Sequence, residues 1–99
     1  MIYKTFTGEL VDTGTATMSW EDALVGDADV PVSAATGRAD AREVLYKNND
    51  SYWRFRLFPP GLRRAPQVHS ITQQQAARWL VLSGHDLPED LKIFTDLFA

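Results

Sequence analysis

The chain has 99 residues, 44% of them apolar and 11% aromatic, and carries a net charge of −3. That composition predicts one folded domain and excludes a disordered chain. There is no cysteine, which excludes disulfides and thiolate metal sites. No apolar run reaches membrane-span length, and the first ten residues alternate rather than forming the apolar block of a secretory leader. The expectation is a soluble, cytoplasmic protein with no membrane partner.

The charge is unevenly spread. Residues 1–37 sum to −5, residues 38–78 to +5 and residues 79–99 to −3. A basic middle between acidic ends predicts either a binding face or segments that neutralise one another in the fold.

Residues 2–11 alternate apolar and polar and are rich in Thr, Tyr and Phe, which predicts a strand that Gly8 bends. DTGT at 12–15 predicts a turn. Two readings compete for the next stretch: a second strand from Thr15 to Trp20, hairpinned to the first, or a short helix capped by Ser19 and ended by Gly26. Residues 27–41 are poor in large apolar groups and read as a long, weakly constrained loop with a short edge strand near Val30 to Ser33.

Residues 42–58 carry the clearest β signal. Two alternating runs flank NND, whose residues tolerate left-handed backbone, so a hairpin is expected. PPGLRRAP at 59–66 ends the second strand, and QVHSI suggests one more. Thr72 and Gln75 then form the T-x-x-Q pattern of a capping box. Ala76, Trp79, Leu80 and Ser83 share one helical face, and Gly84 supplies the stop. A second helix is expected from Pro88, with Glu89 and Asp90 in its first turn. Leu87, Leu91, Phe94 and Phe98, with Leu97, form its apolar stripe. The fold class follows: α+β, a small antiparallel sheet of three to five strands packed against two C-terminal helices, in a single domain.

The chemistry-bearing residues point away from catalysis. His69 and His85 are the only neutral-pH bases, and neither sits in a nucleophile or metal-ligand pattern. An imidazole just past Gly84 is suited to bonding the last helical carbonyls. The acidic pairs Glu21-Asp22 and Glu89-Asp90 are explained by helix starts, and the glycines match no phosphate-cradling motif. Trp79 is expected on the core side of its helix, whereas its neighbours leave Trp20 without an assigned face. No catalytic residue, cofactor or metal is expected.

The strand SYWRFRLF is the informative stretch. Its alternation sends Trp53, Phe55 and Leu57 to one face, expected to be core, and Tyr52, Arg54, Arg56 and Phe58 to the other. Arg63 and Arg64 follow in the proline-framed loop. Guanidinium groups bind carboxylate or phosphate bidentately and stack on aromatics, and Arg and Tyr dominate protein–protein hot spots. The six residues are therefore the candidate partner site, with an ordinary solvated strand face as the competing reading. The acidic overall balance favours a protein partner over nucleic acid.

The stretches Ala35 to Gly37, Leu45 to Phe55 and Ile71 to Leu91 resemble a family of small bacterial proteins carried by plasmids, phages and other mobile elements. The shared pattern is an ATG loop, an aromatic hairpin opening on LY, a helix ending in WL and a G-H-x-x-P-E-D-L second helix. AARWLVLSGHDLPEDL carries the resemblance furthest, and PPGLRRAP departs from it. The resemblance implies a fold and a genomic setting but no catalytic residues. It leads to the expectation of a non-enzymatic protein-binding module, an inhibitor of a bacterial defence system of the anti-CRISPR type. The alternatives are a nucleic-acid accessory protein and a structural homo-oligomer.

Overall fold

The computed structural model describes residues 2–5, 8–25, 32–38, 41–49, 51–58, 61 and 65–97. Its centre is a four-stranded antiparallel sheet of β3 (Met18–Glu21), β6 (Arg42–Asn48), β7 (Ser51–Leu57) and β8 (Gln67–Ile71), in the order β3-β6-β7-β8. Two short antiparallel ribbons accompany it, β1 (Ile2–Lys4) with β2 (Leu10–Asp12) and β4 (Leu24–Val25) with β5 (Val32–Ser33). Helix α1 (Gln73–Leu82) and a 3-10 helix over Glu89–Leu97 complete the α+β architecture.

The hairpin β6–β7 forms as its sequence dictates. Asn48 lies opposite Ser51, so the connection is two residues long. Asn49 takes φ 56°, the left-handed conformation such a turn requires and asparagine tolerates. The capping box also forms. Gln75 N–H donates to Thr72 Oγ1 (3.1 Å) and Thr72 N–H donates to Gln75 Oε1 (2.8 Å). Past the helix, Gly84 turns the chain at φ 78°.

Four local expectations are corrected. The strand over 2–11 is split, because Gly8 at φ 94° does more than bend it: the chain doubles back, and Tyr3 pairs with Val11. Residues 18–21 are a strand that pairs with β6, not with the first strand, and no helix starts at Ser19. The edge strand expected near Val30 to Ser33 is β5, and the turn after it is firmly anchored, not loose. Asp22 is buried and accepts from Ser33 Oγ, from Ala35 N–H (3.1 Å) and from Glu43 N–H (3.2 Å). The second helix is 3-10 throughout Glu89–Leu97; Phe98 lies outside the described residues.

The sheet is packed on both faces. On one, Leu45 and Tyr52 meet Ala76, Ala77, Trp79 and Leu80 of α1 and Leu91 of the 3-10 helix, with Trp20, Ile71, Leu87 and Phe94 at the margin. On the other, Phe55 and Val68 meet Val11, with Tyr3, Tyr46 and Trp53 packed around them. Burying both faces lets so short a chain remove enough apolar surface from water to fold. The β1–β2 ribbon makes this second layer possible: Tyr3 meets Phe55 edge-on with ring centroids 4.9 Å apart.

Candidate functional site: a buried carboxylate beneath an arginine-lined cleft

The register of the sheet determines which side chains meet. Glu43 lies opposite Arg56, Leu45 opposite Arg54 and Lys47 opposite Tyr52, all on the face that α1 covers. Directly opposed side chains stand close enough to interact. Tyr52, assigned from the sequence to a surface site, is 2% exposed. Its ring stacks on Trp20 (6.3 Å between centroids) and its hydroxyl donates to Asp90 Oδ2 (2.7 Å). Lys47 Nζ joins the same carboxylate at 3.1 Å and lies over the Tyr52 ring. Tyr52 is therefore a core residue that ties the sheet to the C-terminal 3-10 helix, and it offers no surface to a partner.

Burial pushes the Asp90 carboxyl up, but the Tyr52 hydroxyl and the Lys47 ammonium outweigh it and hold the group below the usual carboxylate range.

The arginines are organised around Glu43, which is 1% exposed. Trp79 Nε1–H donates to Glu43 Oε1 at 3.0 Å. Arg56 Nε–H donates to Glu43 Oε2 at 3.0 Å, and Arg54 Nε stands 3.5 Å from the same oxygen. A charge removed from water this completely costs several kcal/mol unless it is paired and hydrogen-bonded. The two arginines and the indole supply that pairing. Sequence reasoning identified Arg54 and Arg56 as neighbours but treated their face as open, because it had no means of placing a buried acid between them. Arg54 and Arg56 remain about one-third exposed.

The pairing is incomplete on the Arg54 side. Arg54 Nε is buried yet makes no hydrogen bond. Its guanidinium lines a cleft of about 320 Å³ between α1 and the sheet, together with Glu43, Gln75, Arg78 and Trp79 and the apolar Ala35, Ile71 and Leu82. Arg78 was not among the residues singled out from the sequence. Gln75, Arg78 and Leu82 recur at helical spacing beside Trp79, and that face was the available signal. Arg78 is exposed and forms no ion pair among the described residues. Phe58 follows β7 and is half-buried. Arg63 and Arg64 lie outside the described residues.

The other candidate residues have structural positions. His85 stacks on Trp79, and its Nε2 lies 2.6 Å from Glu21 O, on the edge strand rather than on the last helical carbonyls. Of the two acidic pairs, Glu21-Asp22 marks no helix start; Asp22 is the buried clasp described above. Among the described residues no three His, Asp or Glu side chains gather as metal ligands, and no helix is long and apolar enough to cross a membrane. No protein-family model, no curated protein and no solved structure matches this chain, so the fold and the Glu43 cleft rest on its own sequence and geometry.

Proposed function

We propose that this protein is a non-enzymatic binding module that engages an acidic protein partner through Arg54, Arg56 and Arg78. The observation that carries the reading is the charge count of the cluster. Arg54 and Arg56 pair with the Glu43 carboxylate, whose oxygens are engaged by Trp79 and Arg56, and Arg78 lines the same cleft as Arg54 with no ion pair among the described residues. The positive excess sits at the mouth of a cleft, where a partner's carboxylate would find donors already held in place. The position of His85 supports a non-enzymatic role: it is held by a carbonyl and an indole face. The resemblance read from the sequence supplies the setting: a cytoplasmic protein of mobile-element origin that inhibits a bacterial defence complex of the anti-CRISPR type.

The test is a tagged pull-down from bacterial lysate, with and without nuclease, comparing wild type with Arg78→Glu. Arg78 is the right position because it is exposed. Reversing Arg54 and Arg56 instead would place three carboxylates around one buried site and unfold the protein. A nuclease-resistant partner lost in Arg78→Glu supports the proposal. A partner removed by nuclease transfers the site to phosphate binding, and capture that ignores Arg78→Glu overturns the assignment.

A further inference from the structure

The cleft has a chemistry narrower than its charge. Gln75 Oε1 is fixed by the Thr72 N–H in the capping box, so its amide Nε2 keeps its donors and makes no hydrogen bond among the described residues. Arg54 and Arg78 add donors only. The cleft's carboxylate, Glu43, is engaged on both oxygens. A site that presents two guanidinium groups and an amide donor around one carboxylate that is already paired favours an anion. The remaining walls, Ala35, Ile71 and Leu82, are apolar, and Leu82 is exposed at 54%. They match an anion carried on hydrocarbon, not a fully hydrated one. The volume is at the small end of ligand sites, enough for a side chain and part of its neighbour.

The geometry points to the cleft over Glu43 as a receptor for one glutamate side chain of a partner segment, with an adjacent apolar residue of that segment resting on Leu82 and Ile71. The carboxylate is received by Arg54 and Arg78, with the Gln75 amide as a further donor. This deepens the acidic-partner reading and rests on it for the source of the segment. The affinity of a single such contact is modest. It therefore contributes selectivity within a larger interface rather than holding a complex alone.

Trp79 reports on the site directly, because its indole N–H is bonded to Glu43 and its ring lines the cleft. The experiment follows the three indole N–H resonances by NMR, assigned with Trp20→Phe and Trp53→Phe, while a capped glutamyl-leucine peptide is added. The expected result is a saturable shift of the Trp79 resonance. The capped glutaminyl-leucine peptide produces none, and Arg78→Gln weakens the response about tenfold or more. Arg54→Gln should abolish it, but that change touches the buried cluster. Arg78→Gln, at an exposed helical position, therefore decides the matter with the fold intact.

The inference is overturned if inorganic phosphate shifts Trp79 and the glutamyl peptide does not, if neither moves it, or if Arg78→Gln responds as wild type does. Its fate is separable from that of the broader reading. A partner lost from the pull-down in Arg78→Glu with no peptide response leaves the binding module standing and removes the glutamate receptor. A peptide response without any captured partner does the reverse.

Discussion

Glu43 and Trp79 are 36 residues apart in sequence and are joined by a buried 3.0 Å hydrogen bond between the carboxylate and the indole N–H. The bond links the central strand β6 to the middle of α1. It also fixes the rotamer of the carboxylate, and so the places where Arg54 and Arg56 find it. The helix is held against the sheet by apolar packing and oriented by this polar contact. A polar contact in a core specifies geometry because the alternative, an unsatisfied buried donor, is costly.

Replacing Glu43 therefore tests the cluster. Glu43→Leu leaves the Trp79 N–H without an acceptor and two guanidiniums without a counter-charge, and should destabilise the fold by about 3–5 kcal/mol. The arginines are partly exposed and reach water, so the lower end is expected. Glu43→Gln keeps an acceptor for Trp79 and should cost less. Neutralising the whole cluster with Glu43→Leu, Arg54→Met and Arg56→Met should recover much of the loss, since a buried ion pair replaced as a unit is often neutral or stabilising. Urea unfolding measures all three as midpoint changes at constant m. A single Glu43→Leu variant as stable as wild type would dismiss the cluster as a structural element.

Tyr52 gives a pH-dependent prediction. Because Asp90 titrates below the usual carboxylate range in the folded protein, the unfolded chain binds the proton more readily. The contribution is fully present above about pH 4, the value of a free aspartate, and is lost as pH falls through the lower folded value. Tyr52→Phe removes one of the two groups that hold the carboxylate down while keeping the ring stacked on Trp20. Wild type should exceed the variant in stability at neutral pH, and the gap should narrow in acid. Unfolding midpoints across a pH series measure it, and a gap that stays constant from neutral pH to pH 3 would show that Asp90 is not the linked group.

The parts of the fold legible in the sequence are those that local chemistry decides. Asn49 at the hairpin turn, the Thr72–Gln75 box, Gly84 at the helix stop and the core face through Ala76, Trp79 and Leu80 each follow from residues within one turn or one strand pair. The candidate site was half legible, for a different reason. Alternation placed Arg54 and Arg56 on one face with Tyr52, but alternation does not say what lies above a face. The covering layers come from α1 and the β1–β2 ribbon, and the pairing of the arginines with Glu43 depends on cross-strand register. Asp22 was misread for the same reason. Beside Glu21 it resembles a helix start, and only the approach of Ser33 and Ala35 makes it a buried acceptor. The 3-10 form of the last helix was equally hidden, because Pro88, Glu89 and Asp90 start either kind of helix.

Asp22 carries the last prediction. One carboxylate accepts from the Ser33 hydroxyl, the Ala35 amide and the Glu43 amide, so it fastens the turn after β5 to the start of β6. Charge-assisted hydrogen bonds of this kind are roughly twice as strong as neutral ones. Asp22→Ala strands three buried or half-buried donors and should cost about 3 kcal/mol. Asp22→Asn keeps one carbonyl acceptor and should cost less. The effect should also be directional. Amide exchange should quicken at Ala35 and Glu43 well before it does in α1, because the turn opens without unfolding the sheet. Since the Glu43 amide is one of the three donors, the Trp79 indole resonance should shift in Asp22→Ala. Exchange that quickens uniformly across the chain, with Trp79 unmoved, would show that Asp22 acts on global stability alone and does not position the carboxylate beneath the cleft.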